Sequence, residues 1–116
     1  MRTVILRIAV ILLALLVSTP LSRVAVAQGD PQELLIKADQ LIGDGEYTEG
    51  WAVLETLCQD YAGQIWDAEA RMHKAYVLLM VRRQPADGTA MLESIPADFP
   101  GTEVSLRARR ELLDTW

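Results

Sequence analysis

Residues 49–63 read EGWAVLETLCQDYAG, and residues 87–101 read DGTAMLESIPADFPG. The two segments match at a constant offset of 38 residues. The identical pairs are Gly50/Gly88, Ala52/Ala90, Leu54/Leu92, Glu55/Glu93, Asp60/Asp98 and Gly63/Gly101. Self-similarity at a fixed period is typical of repeat proteins, in which each unit buries its apolar face against its neighbours.

The sequence on both sides of this repeat predicts an all-α fold. Apolar residues recur three and four positions apart, as on one face of a helix, and no stretch alternates with the two-residue period of a strand. Asp30 and Pro31 suit a helix cap and a first helical position. We predict helices from 31 to the glycines at 43 and 45, and then over about 47–61, 65–82, 85–95 and 103–114, with Pro96 ending the fourth.

The recurring glycine carries a structural expectation. A glycine inside a helix costs roughly 1 kcal/mol relative to alanine, so Gly50 and Gly88 indicate a close approach of the paired helix. The same offset relates Ala38 to Tyr76 and Leu41 to Leu79, which predicts that the repeat also includes the first and third helices.

The amino terminus has the three parts of a secretory signal peptide. Two arginines within the first seven residues precede the apolar run IAVILLALLV, and Ala25-Val26-Ala27 fits the cleavage rule. We predict a signal peptide at 1–27, a mature domain at 28–116, and a periplasmic or secreted location. The alternative is an uncleaved signal anchor holding the same domain, although a membrane span needs roughly 20 apolar residues. With no cysteine near the cleavage point, no lipid anchor is expected.

The charge of the predicted mature chain argues against nucleic acid as a partner. Three of the 11 Lys and Arg residues precede position 28, whereas all 16 Asp and Glu residues follow it. Eight basic residues therefore remain against 16 acidic ones, a formal charge of −8. Nucleic-acid binding depends on dense Lys and Arg. Between Asp30 and Asp60 only Lys37 balances eight carboxylates, which indicates either a solvated surface or a partner with a basic segment.

Few residues suggest catalysis or metal binding. His73 is the single histidine, and with Glu69 and Asp67 it falls short of the convergent ligands of a zinc site. Without a nucleophile motif, a phosphate loop or a Cys-x-x-Cys pair, we expect no enzyme activity, metal or cofactor. Cys58 is the single cysteine, so the alternatives are a buried inert thiol and a thiol that is reactive or forms an intermolecular disulfide.

The segment Gly45-Glu46-Tyr47-Thr48-Glu49-Gly50 completes a family pattern. With Ala38 and Leu41 before it and Leu54 and Leu57 after it, the chain resembles the tetratricopeptide-repeat family over essentially the whole mature region. Residues 99–103 resemble the inter-repeat junction of secreted bacterial members, such as the lipoprotein of the outer-membrane barrel-assembly machine and the periplasmic coordinator of the Tol-Pal system. The chain departs from the family in its 38-residue period, against the usual 34, and in the second turn, RQPADG at 83–88.

The resemblance implies an α-solenoid of two antiparallel helical hairpins plus a final helix. It also implies a non-catalytic role, in which the concave side binds a peptide or helix of another cell-envelope protein. The candidate concave residues are Gln32, Leu35, Asp39, Ile42, His73 and Val77. Trp51 and Trp66 are expected in the core, and Trp116 either packs or contacts a partner at the end of the stack. The alternative function is a structural homo-oligomer that assembles through open repeat ends.

Overall fold

The computed structural model describes residues 29–114, and this part of the chain contains helices and no strand. The helices are α1 (Pro31–Gly43), α2 (Tyr47–Asp60), α3 (Ile65–Tyr76), α4 (Pro85–Asp98) and α5 (Glu103–Asp114). A π-helical turn, Val77–Val81, continues α3. The all-α prediction is confirmed for the described residues. The predicted signal peptide at 1–27, its cleavage before Gln28, and Trp116 lie outside them.

Consecutive helices pack against each other along the described chain. α1 contacts α2, α2 contacts α3, α3 contacts α4, and α4 contacts α5. In addition, α3 contacts both α1 and α5. Among the odd-numbered helices, α3 therefore lies beside both α1 and α5, and it is the element that joins the two halves.

Two apolar clusters hold these helices together, and α3 contributes to both. The N-terminal core consists of Ala38, Ile42, Leu54, Leu57, Ala70 and Val77. The C-terminal core consists of Ala68, Ala75, Leu92, Ile95, Phe99, Val104 and Ala108. Because α3 gives opposite faces to the two clusters, each core depends on the position of this helix, and we expect them to unfold together.

The two repeated glycines lie where helices approach most closely. A Cβ atom on Gly50 would lie 2.9 Å from Cγ1 of Ile42, and one on Gly88 would lie 2.5 Å from Cγ of Leu79. Both glycines are buried. The expected close approach of the paired helix is confirmed, since any side chain here would displace the facing helix.

The register of α3 differs by one residue from the sequence alignment. The N–H of Glu46 donates to Leu41 O, whereas the N–H of Gln84 donates to Leu78 O. The two donors, Glu46 and Gln84, are 38 residues apart, whereas the two acceptors, Leu41 and Leu78, are 37 residues apart. The junction after α3 therefore holds one more residue than the junction after α1. The π-helical turn is where this residue is taken up, because its hydrogen bonds span five residues instead of four.

The shift corrects the predicted pairing of Ala38 with Tyr76. Ala38 is fully buried, and it is Ala75, 37 positions later, that is buried in α3. Tyr76 is instead exposed. The offset of 38 includes the extra residue, which follows Tyr76, so it does not apply to the comparison of α1 with α3.

The fourth helix is longer than predicted, because Pro96 does not end it. α4 continues to Asp98, and the N–H of Phe99 donates to Ile95 O at 2.8 Å. Pro96 lies in the last turn, where its missing N–H removes a single hydrogen bond. Burial of the Phe99 side chain in the C-terminal core favours completing that turn.

Arg83 has a left-handed backbone conformation, and Gly45 has the same conformation at the equivalent position of the first repeat. Its φ angle is 54°, and φ of Gly45, 38 residues earlier, is 84°. This conformation costs an L-residue roughly 1–2 kcal/mol. We expect Arg83→Gly to raise the free energy of unfolding by about 0.5 kcal/mol, since the greater freedom of glycine in the unfolded chain offsets part of the relief.

The reciprocal substitution is the matched control. A Cβ on Gly45 would meet no atom within 4 Å, so Gly45→Arg tests backbone strain without a steric clash. It is expected to lower the free energy of unfolding by about 1–2 kcal/mol in urea titrations. Equal stability of Gly45→Arg and the parent chain would contradict the strain argument.

Candidate functional site

An open cleft of about 540 Å³ lies on the side of the molecule formed by α1, α3 and α5. Its lining residues are Asp39, Ile42, Gly43, Tyr47, Met72, His73, Tyr76 and Arg107. A smaller cavity of about 140 Å³ adjoins it and shares Met72 and Tyr76. All three odd-numbered helices therefore contribute side chains to one concave surface.

Polar contacts join the three helices along this cleft. His73 Nε2 lies 3.7 Å from a carboxylate oxygen of Asp39, and Nδ1 of the same ring lies 2.9 Å from Glu69 O. Nδ1 donates this second bond, because a carbonyl oxygen can only accept. Arg107 of α5 forms an ion pair with Glu69 of α3. These contacts link α1 to α3 and α3 to α5, which fixes the spacing of the cleft walls.

Aromatic and thioether side chains supply the apolar part of the surface. Tyr76 is 55% exposed and Met80 is 61% exposed, and Tyr47 also lines the cleft. Tyrosine combines a large apolar ring with a hydroxyl and has few rotatable bonds, so it contributes to protein contacts at low entropic cost.

Three of the six concave candidates line this cleft: Asp39, Ile42 and His73. Asp39 is exposed and His73 partly so, whereas Ile42 is largely buried in the N-terminal core. Gln32 is exposed on α1, but neither it nor Leu35 lines the cleft, and Leu35 packs against the N-terminal core.

The expectation that Val77 is exposed on the concave side is wrong. Its side chain is fully buried in the N-terminal core. Val77 lies 38 residues after Asp39, but the register that relates α3 to α1 is 37, so the counterpart of Asp39 is Tyr76. Trp116, the candidate contact at the end of the stack, lies outside the described residues.

Sequence reasoning missed several lining residues, namely Tyr47, Met72, Tyr76 and Arg107. The two tyrosines and Met72 lie at helical spacing among apolar residues, and periodicity alone does not separate a core position from a groove position. A signal for Arg107 was present: it lies 38 residues after Glu69, at the same repeat position with the opposite charge.

A second cleft, of about 630 Å³, opens between α2 and α4, and α3 forms its floor. The floor contains Asp67, Arg71 and Lys74. Lys74 is buried, its Nζ lies 2.7 Å from Oε1 of Glu55, and it lies 5.1 Å from the ring centre of Trp51. Each charged group of the floor has a partner within the protein.

Asp67 is the central group of this floor. Burial by itself would raise its pKa, but the N–H of Gly63 and the guanidinium of Arg71 bond the carboxylate and hold its pKa below the usual range. Arg71 also reaches Ser94 and Asp98 on α4, at 3.2 Å and 2.6 Å. The network thus ties the junction before α3 to α4.

The Cys58 thiol borders the same cleft and is half-buried. Burial raises its pKa to about 11, with opposing contributions from Lys74 and Asp67. Because the thiolate is the nucleophile, such a thiol reacts poorly at neutral pH. Its position fits an inert packing role, the first of the two alternatives considered for it.

Residues 29–114 contain no cluster of three or more His, Cys, Asp or Glu side chains arranged to hold a metal ion. Within the same residues, every helix is too short or too polar to cross a membrane. Comparisons of the chain with protein-family models, with curated proteins and with solved structures each find no match.

Proposed function

We propose that this protein is a non-catalytic protein-interaction module of the bacterial cell envelope, built from tetratricopeptide-like repeats and exported by its amino-terminal signal. Its ligand is a peptide segment or helix of another envelope protein, held on the surface formed by α1, α3 and α5. The observation that supports this proposal best is the cleft of about 540 Å³ to which all three helices contribute. A cleft that crosses several helices suits an extended or helical segment better than a small molecule.

Contacts between neighbouring helices connect the walls of the cleft in the absence of a partner. The Glu69–Arg107 ion pair and the Asp39–His73 contact connect neighbouring helices, and Ile42 anchors one wall in the core. A surface fixed in advance loses little conformational entropy on binding, which leaves more of the contact energy as affinity.

The charge of the first repeat indicates the chemistry of the ligand. α1, α2 and the segment joining them carry carboxylates with Lys37 as the single basic residue, and Asp39 brings one of these carboxylates to the cleft. A partner with basic residues would be attracted to this surface. Association is then expected to weaken as salt rises, because exposed charges are screened beyond about 8–10 Å at physiological ionic strength.

The partner would be captured by crosslinking in the native envelope, with the purified protein as bait, and then tested on two charge reversals. Asp39→Lys changes the cleft, and Glu33→Lys makes the same change of charge on α1 at a residue that does not line it. We expect Asp39→Lys to weaken binding by about tenfold, and Glu33→Lys by less than about threefold.

Tyr76→Ala extends the test to the apolar part of the cleft. Because Tyr76 is mostly exposed, its loss is expected to change the melting temperature little while also weakening binding about tenfold. If Asp39→Lys and Tyr76→Ala both leave affinity unchanged, the partner binds elsewhere and the proposed use of the cleft is wrong.

A further inference from the structure

Helix α5 exposes two leucines at positions where α3 has buried alanines. Leu106 is 55% exposed and Leu113 is 77% exposed. The residues 38 positions earlier, Ala68 and Ala75, are 0% and 1% exposed, and both belong to the C-terminal core. Large apolar side chains at positions that are buried in the preceding repeat indicate a surface that a partner covers.

The register that relates α5 to α3 is fixed by the backbone. Leu106 N–H donates to Thr102 O just as Ala68 N–H donates to Gln64 O. Gly63 and Gly101, which precede the two helices, have φ angles of 78° and 77°. The extra residue of the π-helical turn follows Tyr76, so it does not disturb this comparison.

In the preceding repeat, the helix that covers this face is α4. Its Leu92 and Ile95 pack in the same core as Ala68 and Ala75, and Arg71 of α3 bonds its Asp98 at 2.6 Å. The counterpart of Arg71 in α5 is Arg109, which is exposed. The described helices that contact α5, namely α3 and α4, pack against its opposite side, where Val104 and Ala108 are buried.

We propose that the face of α5 containing Leu106, Arg109, Arg110 and Leu113 (the α5 face) binds an acidic amphipathic helix of another protein. The bound helix lies against α5 as α4 lies against α3. Both covering helices within the chain, α2 and α4, have the required chemistry, because each combines apolar residues with three acidic residues and contains no Lys or Arg. This surface is separate from the cleft, so the inference does not depend on the proposed peptide site.

The charge of the α5 face favours a foreign helix over a second copy of this chain. Arg109 and Arg110 lie midway between Leu106 and Leu113 along the helix. Pairing two α5 helices through their leucines, in either direction, would bring the arginines of both copies together. Like charges placed directly opposite each other are unfavourable, whereas an acidic helix would place its carboxylates against these arginines.

The test uses a hydrocarbon-stapled peptide with the sequence of residues 85–98, which is the helix that covers the equivalent face of α3. Titration into isotope-labelled protein is followed by NMR. We expect amide chemical-shift changes centred on Leu106, Arg109 and Leu113. Shift changes centred instead on Asp39, His73 and Tyr76, or none at all, would overturn the proposal.

Charge exchange separates the proposed ion pair from general electrostatics. Arg109→Glu is expected to weaken peptide binding about tenfold, and a peptide with Asp98→Lys is expected to restore it to within about threefold. Lys37→Glu makes the same change of net charge on α1 and is expected to leave binding unchanged. Equal affinity of the parent and Arg109→Glu proteins would rule out an acidic helix in this orientation.

Light scattering tests the remaining occupant, a second copy of the chain. The proposal expects a monomer whose mass is independent of concentration, and Leu106→Asp should abolish peptide binding without changing that mass. A dimer that dissociates in the Leu106→Asp variant would show that a second copy covers the α5 face, and the proposal of a foreign helix would then be wrong.

Discussion

Leu54→Ala and Leu92→Ala should each lower the free energy of unfolding by about 2–5 kcal/mol. The two leucines occupy the same repeat position, and both are almost completely buried, Leu54 in the N-terminal core and Leu92 in the C-terminal core. Truncation removes the transfer energy of three carbon atoms and leaves a cavity. Small domains have a total stability of only roughly 5–15 kcal/mol, so either substitution is severe.

The two variants should also unfold in a similar way, because α3 belongs to both cores. Damage to one cluster is transmitted through Ala70 and Val77 on one face of this helix and Ala68 and Ala75 on the other. We therefore expect each variant to retain a single urea transition with an unchanged m-value. Glu93→Ala is the surface control on α4, with an expected effect within about 0.5 kcal/mol.

If Leu54→Ala or Leu92→Ala left the free energy of unfolding unchanged, the repeat register would be wrong in that half of the protein. Two separate transitions would be informative in another way, since they would show that the cores unfold independently. Either outcome can be read from urea titrations followed by two probes. Tryptophan fluorescence reports on the N-terminal core through Trp51 and Trp66, and far-UV circular dichroism reports on all the helices.

The parts of this fold that the sequence predicted are those controlled by local pattern. The helix starts at Pro31 and Pro85 follow from backbone chemistry. The buried leucines and the two crossing glycines follow from exact repetition. The helix starts are specified by residues close in sequence, and the repeated positions by the comparison of one segment with another, so a single sequence is enough to predict both.

The register of α3 could not be predicted in the same way. The π-helical turn has the sequence VLLMV at Val77–Val81, and a run of apolar residues looks the same whether its hydrogen bonds span four residues or five. A register that is wrong by one residue places Val77 in the cleft and Tyr76 in the core, whereas Val77 is buried and Tyr76 lines the cleft. In the observed register Leu79 packs against Gly88, and periodicity does not contain that tertiary contact.

The sequence pattern also did not predict which charged residues are buried. Asp67 and Lys74 look like ordinary solvated positions in the helical pattern, yet both are buried. Charged side chains are rarely buried without a partner, and the partners here, Glu55 for Lys74 and Arg71 for Asp67, lie on a neighbouring helix and one turn away. Such pairs depend on which helices face each other, so only the three-dimensional arrangement identifies them.

Replacing Asp67 should be the most damaging polar substitution, with Asp67→Ala expected to lower the free energy of unfolding by about 3 kcal/mol. The carboxylate accepts the Gly63 N–H at 3.0 Å and Arg71 Nε at 3.0 Å, and its side chain is only 4% exposed. Removing one partner of a buried pair costs about 3–5 kcal/mol, and the value here lies at the low end because Arg71 keeps Asp98.

The matched control for this variant is Asp98→Ala. Asp98 contacts the same arginine at the shorter distance of 2.6 Å, but its side chain is 55% exposed. An exposed ion pair contributes about 0–1 kcal/mol, so Asp98→Ala should be nearly neutral. Equal effects of the two substitutions would mean that burial does not distinguish them, and the argument for Asp67 would fail.

The pH dependence gives an independent readout of the same carboxylate. Its pKa is lowered in the folded protein, because the bonds from Gly63 and Arg71 together outweigh the opposing effect of burial. Its contribution to stability is therefore complete above the unfolded-state pKa of about 3.9 and is lost as pH falls through the lower, folded-state pKa.

Asp67→Asn removes this titration but keeps the shape of the side chain. The stability difference between the parent and Asp67→Asn should thus be constant near pH 6–7 and shrink below about pH 4. A difference that stays constant down to pH 2 would show that the charge of Asp67 contributes nothing to the fold.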